Sequence, residues 1–509
     1  MVLVGIDIGT HGTKGVLVRS NGEVCASAHR AYSVLHPHPL WAEQNGNVWL
    51  AAAIEVINEL VHQADRPGDI AGVCVSGLYG GSGIPVDKQI RPIRPCLIWM
   101  DRRAVDEVEA VRHTVAAEKL LAVSGNTVDT YFGFTKLLWL KENEPENWDR
   151  TALFLPPNAY VNYHLTGEIA IDHSSAGNLG GVYDLKNRCW SKEMAEVLGI
   201  PLEKMPSRLV PSDRVIGTIT RDAAVKTGLC EGTPVLAGGV DAPMATLAAG
   251  AAAPGHNVAM MGTSTCWGVI HSGAHVAERL VSMPHVADSE NTVYTWGGAA
   301  TSGALVEWAV EILQSLHPQA MSGSDVLRAM DERAARIAPG ADGLIAMPYF
   351  MGERAPLWDQ NARGAFVGLT LAHSSAHIFR AILEASAFSL RQAIEAGVEM
   401  GLPISGETMV VGGVAKSPLW MSILADVTGQ RMKTIRAGGF GAPLADAFLA
   451  GKATGKIDPE ANIGDWIEYT EGIAPDAAKQ ERYERLYRIY RTTYKALSPV
   501  YDRLSAPLP

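Results

Sequence analysis

"DIGTHGTKGVL", residues Asp7 to Leu17, follows the apolar run Val2-Leu3-Val4-Gly5-Ile6. An acid, two glycines, two threonines and a lysine crowd into eight residues at the end of a strand. A hairpin needs turn residues but has no use for Thr-x-x-Thr-Lys. A phosphate loop does. Backbone N–H groups in a tight glycine turn make an anion nest, Thr10 and Thr13 add hydroxyl donors, and Lys14 adds a point charge. Asp7 would repel a phosphate unless a divalent ion bridged the two, so this reading makes Asp7 a metal anchor. The plain alternative is a hairpin carrying a solvated Asp and Lys, and the short motif alone fits both.

Working outward, Val2–Ile8, Gly15–Arg19 and Val24–Tyr32 read as strands, with Asn21-Gly22 as a hairpin signal between the last two. Helical spacing marks 49–63, a buried strand 71–76, and one further helix 104–121. That mixture predicts an α/β domain. A second start comes about 250 residues on. "NVAMMGTSTCWGVI" (Asn257–Ile270) again puts an apolar strand before Gly262-Thr263-Ser264-Thr265 and a further strand. Two such units, one per half, predict a duplicated domain gripping a nucleotide between its copies, divided as 1–247 and 248–509. Helices are expected over 299–316, 376–400, 419–428 and 443–451. A C-terminal helix over 476–497 puts Tyr483, Leu486, Tyr487, Tyr490 and Tyr494 on one face, read as docking on its own domain.

The chain has 509 residues, enough for two cores, with 47% apolar and 19% charged residues, as expected of a globular protein. A formal net charge of −11 argues against nucleic acid or an anionic membrane surface as partner. Six scattered cysteines without a C-x-x-C pair suit a reducing compartment. With no signal-peptide pattern and no membrane-length apolar run, the sequence reads as cytoplasmic.

Three more stretches carry chemistry. In "VLAGGVDAPMATLAAG" (Val235–Gly250) a strand runs through two glycines into Asp241 at a helix start. Such an Asp is an ordinary N-cap; at a cleft it is also a base for a hydroxyl attacking a phosphoryl group. "VVGGVAKSPLW" (Val410–Trp420) repeats strand, glycines and helix start. There Gly412-Gly413 would let a flat ring lie on bare backbone, and Ser417 is either a donor to the base or ribose or a helix cap. "MGERAPLWDQNARGAFVGL" (Met351–Leu369) is a polar loop with Arg354 and Arg363, long for a simple connection.

In this order, "DIGTHGTKG", "HPLWAEQN", "LIWMDRR", "FTKLLWL", "AGGVDAP", "MGTST", "GERAPLWDQNARGAFVGL" and "GGVAKSPLW" resemble the FGGY carbohydrate kinases over nearly the whole chain. The Trp-x-Asp-x-Arg of Trp99, Asp101 and Arg103 looks most like the xylulokinase branch. The resemblance implies two actin-like, ribonuclease-H-like ATPase domains with a cleft between them, and ATP-dependent phosphorylation of a small sugar or polyol. It implies ATP and Mg²⁺ as cofactors, with Asp7 helping to hold the metal. Thr10, Thr13 and Lys14 would lie at the phosphates, faced by Gly262 and Thr263, with Gly303, Gly413 and Ser417 lining the adenosine site. Asp241 would be the catalytic base.

The sugar pocket departs from the pattern. Xylulokinases typically read Gln-Met-His-Gly where this chain has Leu78-Tyr79-Gly80-Gly81, glycerol kinases carry Arg-Glu there, and His11 stands where Ser or Thr is usual. Tyr131, in "YFGFTK", sits where glycerol kinases place a substrate-contacting tyrosine. The expected pocket is therefore Leu78, Tyr79, Gly80, Trp99, Asp101, Arg103, Tyr131 and Asp241. The expected substrate is a ketopentose such as D-xylulose, with ribulose, erythritol or glycerol as alternatives and a homodimer as the open option for assembly. Two rivals on the same core are a non-catalytic nucleotide or sugar sensor and an ATPase that uses water.

Overall fold

The computed structural model describes residues 1–79, 81–273, 278–316, 323–436 and 439–505. The first half opens with β1 (Val2–Ile8), β2 (Gly12–Arg19) and β3 (Val24–Ala31), an antiparallel meander. Helix α1 (Gly46–Gln63) follows, capped by the Asn45 side chain, and then β4 (Ile70–Gly77), parallel to β1. The single helix expected over 104–121 is two, α2 (Val105–Thr114) and α3 (Ala117–Ser124). The break falls at Val115, whose extended backbone turns its β-branched side chain into the core. After α4 (Gly133–Asn143), strands β5 (Val215–Thr218) and β6 (Pro234–Leu236) complete a sheet ordered β5-β6-β4-β1-β2-β3, and α5 (Asp241–Ala248) leaves it.

The second half repeats the plan. β7 (Asn257–Met261), β8 (Thr265–His271), β9 (Val281–Pro284) and β10 (Val293–Gly297) precede α6 (Gly303–Leu316), α7 (Gly323–Ala334) and the long α8 (Ser375–Glu399). Then come β11 (Glu407–Val411), α9 (Pro418–Thr428), β12 (Arg431–Lys433), α10 (Ala442–Ala453) and α11 (Ala477–Ser505). The sheet order β9-β10-β8-β7-β11-β12 follows the plan of the first: an antiparallel run from the leading strand, of three strands in the first sheet and four in the second, with further strands on its other side, the nearest of them parallel to it. The faint echo in sequence is thus a topological repeat.

Helix α10 comes from the second half yet packs on β1 and β4 of the first sheet, with α5 against its flank. Gly5 permits this, because any Cβ there would collide with the backbone carbonyl of Pro443. Helix α11 runs through Pro499 to Ser505, past the expected end at 497, because Tyr501 is buried beyond the proline. Its tyrosines dock inward as expected. The hydroxyl of Tyr483 meets Arg380 and Glu384, that of Tyr487 donates to Glu395, and that of Tyr490 lies 2.6 Å from that of Tyr349. No described helix is long and apolar enough to cross a membrane.

Candidate active site

The opening loop is a hairpin, but not a solvated one. The turn Gly9-Thr10-His11 closes with the Gly9 N–H on the Gly12 carbonyl (3.0 Å), and Asp7 stands opposite Lys14 across the strands. Two side chains from outside pin the turn. Gln44, from "HPLWAEQN", donates to the Thr10 carbonyl (2.6 Å), and the Trp99 indole donates to the Thr10 hydroxyl (3.1 Å). Thr13 departs from expectation. It is buried, and its hydroxyl lies 3.2 Å from that of Tyr32, which donates to the Gly9 carbonyl, so Thr13 braces the turn from behind. Lys14 is exposed on the open side.

Asp7 is desolvated at the strand tip. Burial pushes its carboxyl up to about 6 against the pull of Lys14 and Ser76, and its Oδ1 is buried without a partner. Asp241 meets it from the end of β6, with β4 between them. The glycines before it let β6 pass against β4: Gly238 has φ +71°, and a Cβ there would strike the Val75 carbonyl. Asp241 is the first helical residue of α5, the cap position falling to Val240, so it is not the N-cap of the plain reading. Among the described residues its Oδ1 accepts from the neighbouring Ala242 N–H (2.7 Å). Burial first, and then the Asp7 charge, push its carboxyl up to about 8. Two acids that each resist ionisation beside the other ask for a cation or a proton.

A third acid lies behind them, unforeseen in the sequence. Asp446 on α10 is fully buried, accepts from Ser76 Oγ (2.6 Å) and Cys74 Sγ (3.2 Å) on β4, and is held well above the ordinary carboxylate range by burial. Its spacing in an Ala-rich helix carried no signal beyond that of an exposed polar position.

On the sugar side the structure revises the expectation for Asp101 and Arg103, because they engage one another. The Arg103 side chain is 1% exposed, contacts Asp101 and Glu43 at 2.7 Å each, and sits in the corner made by the perpendicular rings of Trp41 (3.5 Å) and Trp139 (4.7 Å). Asp101 also accepts the Ala42 N–H (2.7 Å). The pair braces the wall that carries Trp99, most of its polar groups turned on each other and Arg103 Nη1 left buried without a partner. Leu78 is core, and Gly80 lies outside the described residues. The Tyr79 hydroxyl receives the Gly133 N–H, and its ring lies 5.4 Å from that of Tyr131. Tyr131 is held by buried Lys136, which donates to its carbonyl (3.0 Å), and its hydroxyl is 3.3 Å from the Asn178 amide. Trp296 completes the wall at 5.8 Å from Tyr131, its indole N–H buried and unpartnered. Asn178 and Trp296 sit in stretches with no motif of their own.

On the nucleotide side, Gly262, Thr263, Gly303, Gly413 and Ser417 line one cavity of about 760 Å³. A Cβ at Gly262 or Gly413 would meet nothing within 4 Å, so both present bare backbone to open space. Gly303 differs, since a Cβ there would strike the Gly262 carbonyl. That close approach lets the Ser302 and Gly303 N–H groups bind the Thr263 and Gly262 carbonyls (2.9 and 2.8 Å), which delays α6 from the expected 299 to 303. Ser417 caps α9 by accepting the Trp420 N–H (3.0 Å) and donates to Asp331 (2.8 Å), a wall residue the sequence did not single out. Its proton is engaged there and not on the cavity.

The long loop that follows α7, Met351 to Leu369, also reaches the cleft. Glu353 is 6% exposed, and one oxygen accepts the N–H groups of Ala300 and Arg354 (2.8 Å each). Its other oxygen is buried and unpartnered, and burial pushes the carboxyl up to about 7. Arg363 instead turns away, donating to the Gln360 and Ala362 carbonyls (2.9 Å each).

Among the described residues no group of three or more His, Cys, Asp or Glu is arranged to hold a metal. Asp7, with its orphan oxygen, is suited to one contact on an ion whose other ligands are phosphate oxygens and water.

Residues 2–248 match the model for the N-terminal domain, and 257–450 that for the C-terminal domain, of the FGGY family of carbohydrate kinases. The xylulose kinase of Bacillus subtilis (strain 168) is 31% identical over 500 residues, covering 97% of this chain and 96% of that protein. The solved xylulose kinase from Rhodospirillum rubrum superposes with a TM-score of 0.89 at 32% identity, over 99% of this chain and 100% of the other. The solved gluconate kinase from Lactobacillus acidophilus gives 0.90 at 26% identity, over 99% of each.

Proposed function

We propose that this chain, which belongs to the FGGY family of carbohydrate kinases and is itself a sugar kinase, transfers the γ-phosphoryl group of ATP to a ketopentose, with D-xylulose the first candidate. One observation carries the reading: Asp241 and Asp7 form a desolvated pair of acids beside the first of two glycine–threonine turns. Asp241 is the base. A carboxylate whose proton affinity is raised to about 8 takes a proton from a sugar hydroxyl far more readily than an ordinary one. Trp99 covers the apolar face of the carbon chain, while Tyr131, Asn178 and the Trp296 N–H are in reach as hydrogen-bonding groups. Thr10, Lys14, Gly262 and Thr263 take the phosphates, and the adenosine lies in the 760 Å³ cavity against Gly413. Asp7 would hold Mg²⁺ through its unpartnered oxygen, and the ion would supply charge neutralisation between phosphate oxygens and the two acids. We place the working boundary after 247, within the helix that carries the base, and the site of action in the cytoplasm.

The test is ADP release with D-xylulose, D-ribulose, D-gluconate, erythritol and glycerol. A ketopentose should lead, with glycerol worse by at least about tenfold in kcat/KM, the value of one lost polar contact. Glycerol as best substrate would refute this pocket, and ATP hydrolysis indifferent to every sugar would refute the base.

A further inference from the structure

Arg354 has no part in the chemistry assigned above, yet few cleft residues are so firmly placed. Its backbone N–H is held by Glu353, and its Nη2 donates to the Ala299 carbonyl (3.0 Å) and, more distantly, to that of Thr265 (3.4 Å). These partners flank the Gly262–Thr265 turn. The guanidinium carbon lies 5.9 Å from the ring of Trp296 and 5.9 Å from that of Trp99, which comes from the other half of the chain and binds Thr10 of the first turn. Its charge is felt at the Tyr131 hydroxyl and the Cys266 thiol, two groups that also feel Asp241. Arg354 therefore borders the space that the base and both turns enclose. Its Nε is buried with no partner, and a charged donor left so is costly unless a ligand meets it.

Resting on the kinase reading, we propose that Arg354 is a catalytic residue that touches the γ-phosphoryl oxygens during transfer. In that step the sugar oxygen bonds to the γ-phosphorus as the bond to the β–γ bridging oxygen breaks, ADP leaves with that electron pair, and the sugar proton passes to Asp241. Charge spreads over the phosphoryl oxygens throughout, and a fixed guanidinium is the side chain best matched to them. Lys14 brings a cation from the first half, and Arg354 brings one from the second.

The experiment uses the full chain with ATP, Mg²⁺ and its best sugar. Arg354→Ala should lose about 10³-fold in kcat, in the range of a supplied arginine. The sugar KM and the ATP dissociation constant should stay within about threefold, and added guanidinium should restore part of the rate. Arg354→Lys, which keeps the stem and the charge, decides by the same criterion if the alanine variant does not fold. A kcat within tenfold of wild type, or a loss confined to sugar KM, overturns the inference while leaving the kinase reading intact. A wild-type enzyme that phosphorylates no sugar overturns both.

Discussion

Asp241→Asn separates what the active site needs from what the fold prefers. Holding this carboxyl at about 8, against its ordinary 3.8, costs about 1.4 kcal/mol per pH unit and so on the order of 5 kcal/mol in the ionised form. The sign follows from proton linkage. Because the folded-state value is raised, the folded chain binds the extra proton between about pH 4 and 8; that stabilisation is complete below pH 4 and lost as pH rises to 8. Asparagine never ionises, so the variant escapes the loss. In melts without nucleotide and with EDTA, it should equal wild type near about pH 4.5 and exceed it at about pH 8 by several kcal/mol, a rise of about 5 °C or more in Tm. The same protein should lose about 10²–10⁴-fold in kcat while still binding ATP. A variant that melts at or below wild type at the alkaline end would show that the acid is not held against its preference. Near-normal turnover would show that it is not the base.

Asp7→Asn should raise the Mg²⁺ concentration for half-maximal activity and lower kcat, and by removing a neighbouring charge it should move the rising limb of kcat/KM against pH to lower pH; an unmoved limb at unchanged Mg²⁺ dependence contradicts its place beside Asp241. Arg103→Ala leaves Asp101 buried without its cation, while Glu43 keeps Arg94, and should cost about 3–5 kcal/mol in urea denaturation; a loss under about 1 kcal/mol would mean that the pair is not the brace described. Sugar and nucleotide together should lower the radius of gyration in small-angle scattering, because two turns on different sheets meet one phosphoryl group only when the cleft closes; an unchanged value at saturation argues against closure.

Local signals were legible wherever backbone geometry dictates residue type. The glycine turns after β1 and β7, the paired glycines before Asp241 and the tyrosine face of α11 all occupy the places their spacing predicts. What stayed hidden depends on partners far away in the chain. Nothing near Asp101 and Arg103 announces that Trp41 and Trp139 close over them, so two charged residues in a pocket motif read as ligands when they are masonry. Thr13 and Ser417 misled for the same reason: a hydroxyl in the right loop is available only if nothing else has taken it, and here Tyr32 and Asp331 have. The helix break at Val115 and the delayed start of α6 were likewise decided by contacts, a buried side chain in one case and the Gly262–Thr263 carbonyls in the other.

The repeated topology gives the division of labour its physical sense. Strands β1 and β7 occupy the same central place in their sheets and end in the same kind of turn, yet β1 ends near Asp7, paired with Lys14, and β7 ends at Met261, paired with Thr265. In the proposed reaction, an acid at both turns would set a third negative charge against a phosphate that Asp7 and Asp241 would already face. The second copy instead offers bare backbone at Gly262 and Gly413 and, beside them, the 760 Å³ cavity proposed for adenosine. The two acids proposed to take a proton and to meet a metal both stand at the first sheet, on which α10 packs. Asp446, an acid given neither of those roles, is held by burial well above the ordinary carboxylate range, and its oxygens accept from Ser76 and Cys74. Asp7 and Asp241 have no comparable set of donors. Their unmet demand for positive charge distinguishes a working carboxylate from a structural one in this fold, and it is a demand that Mg²⁺ on the phosphates and a proton from the sugar would answer.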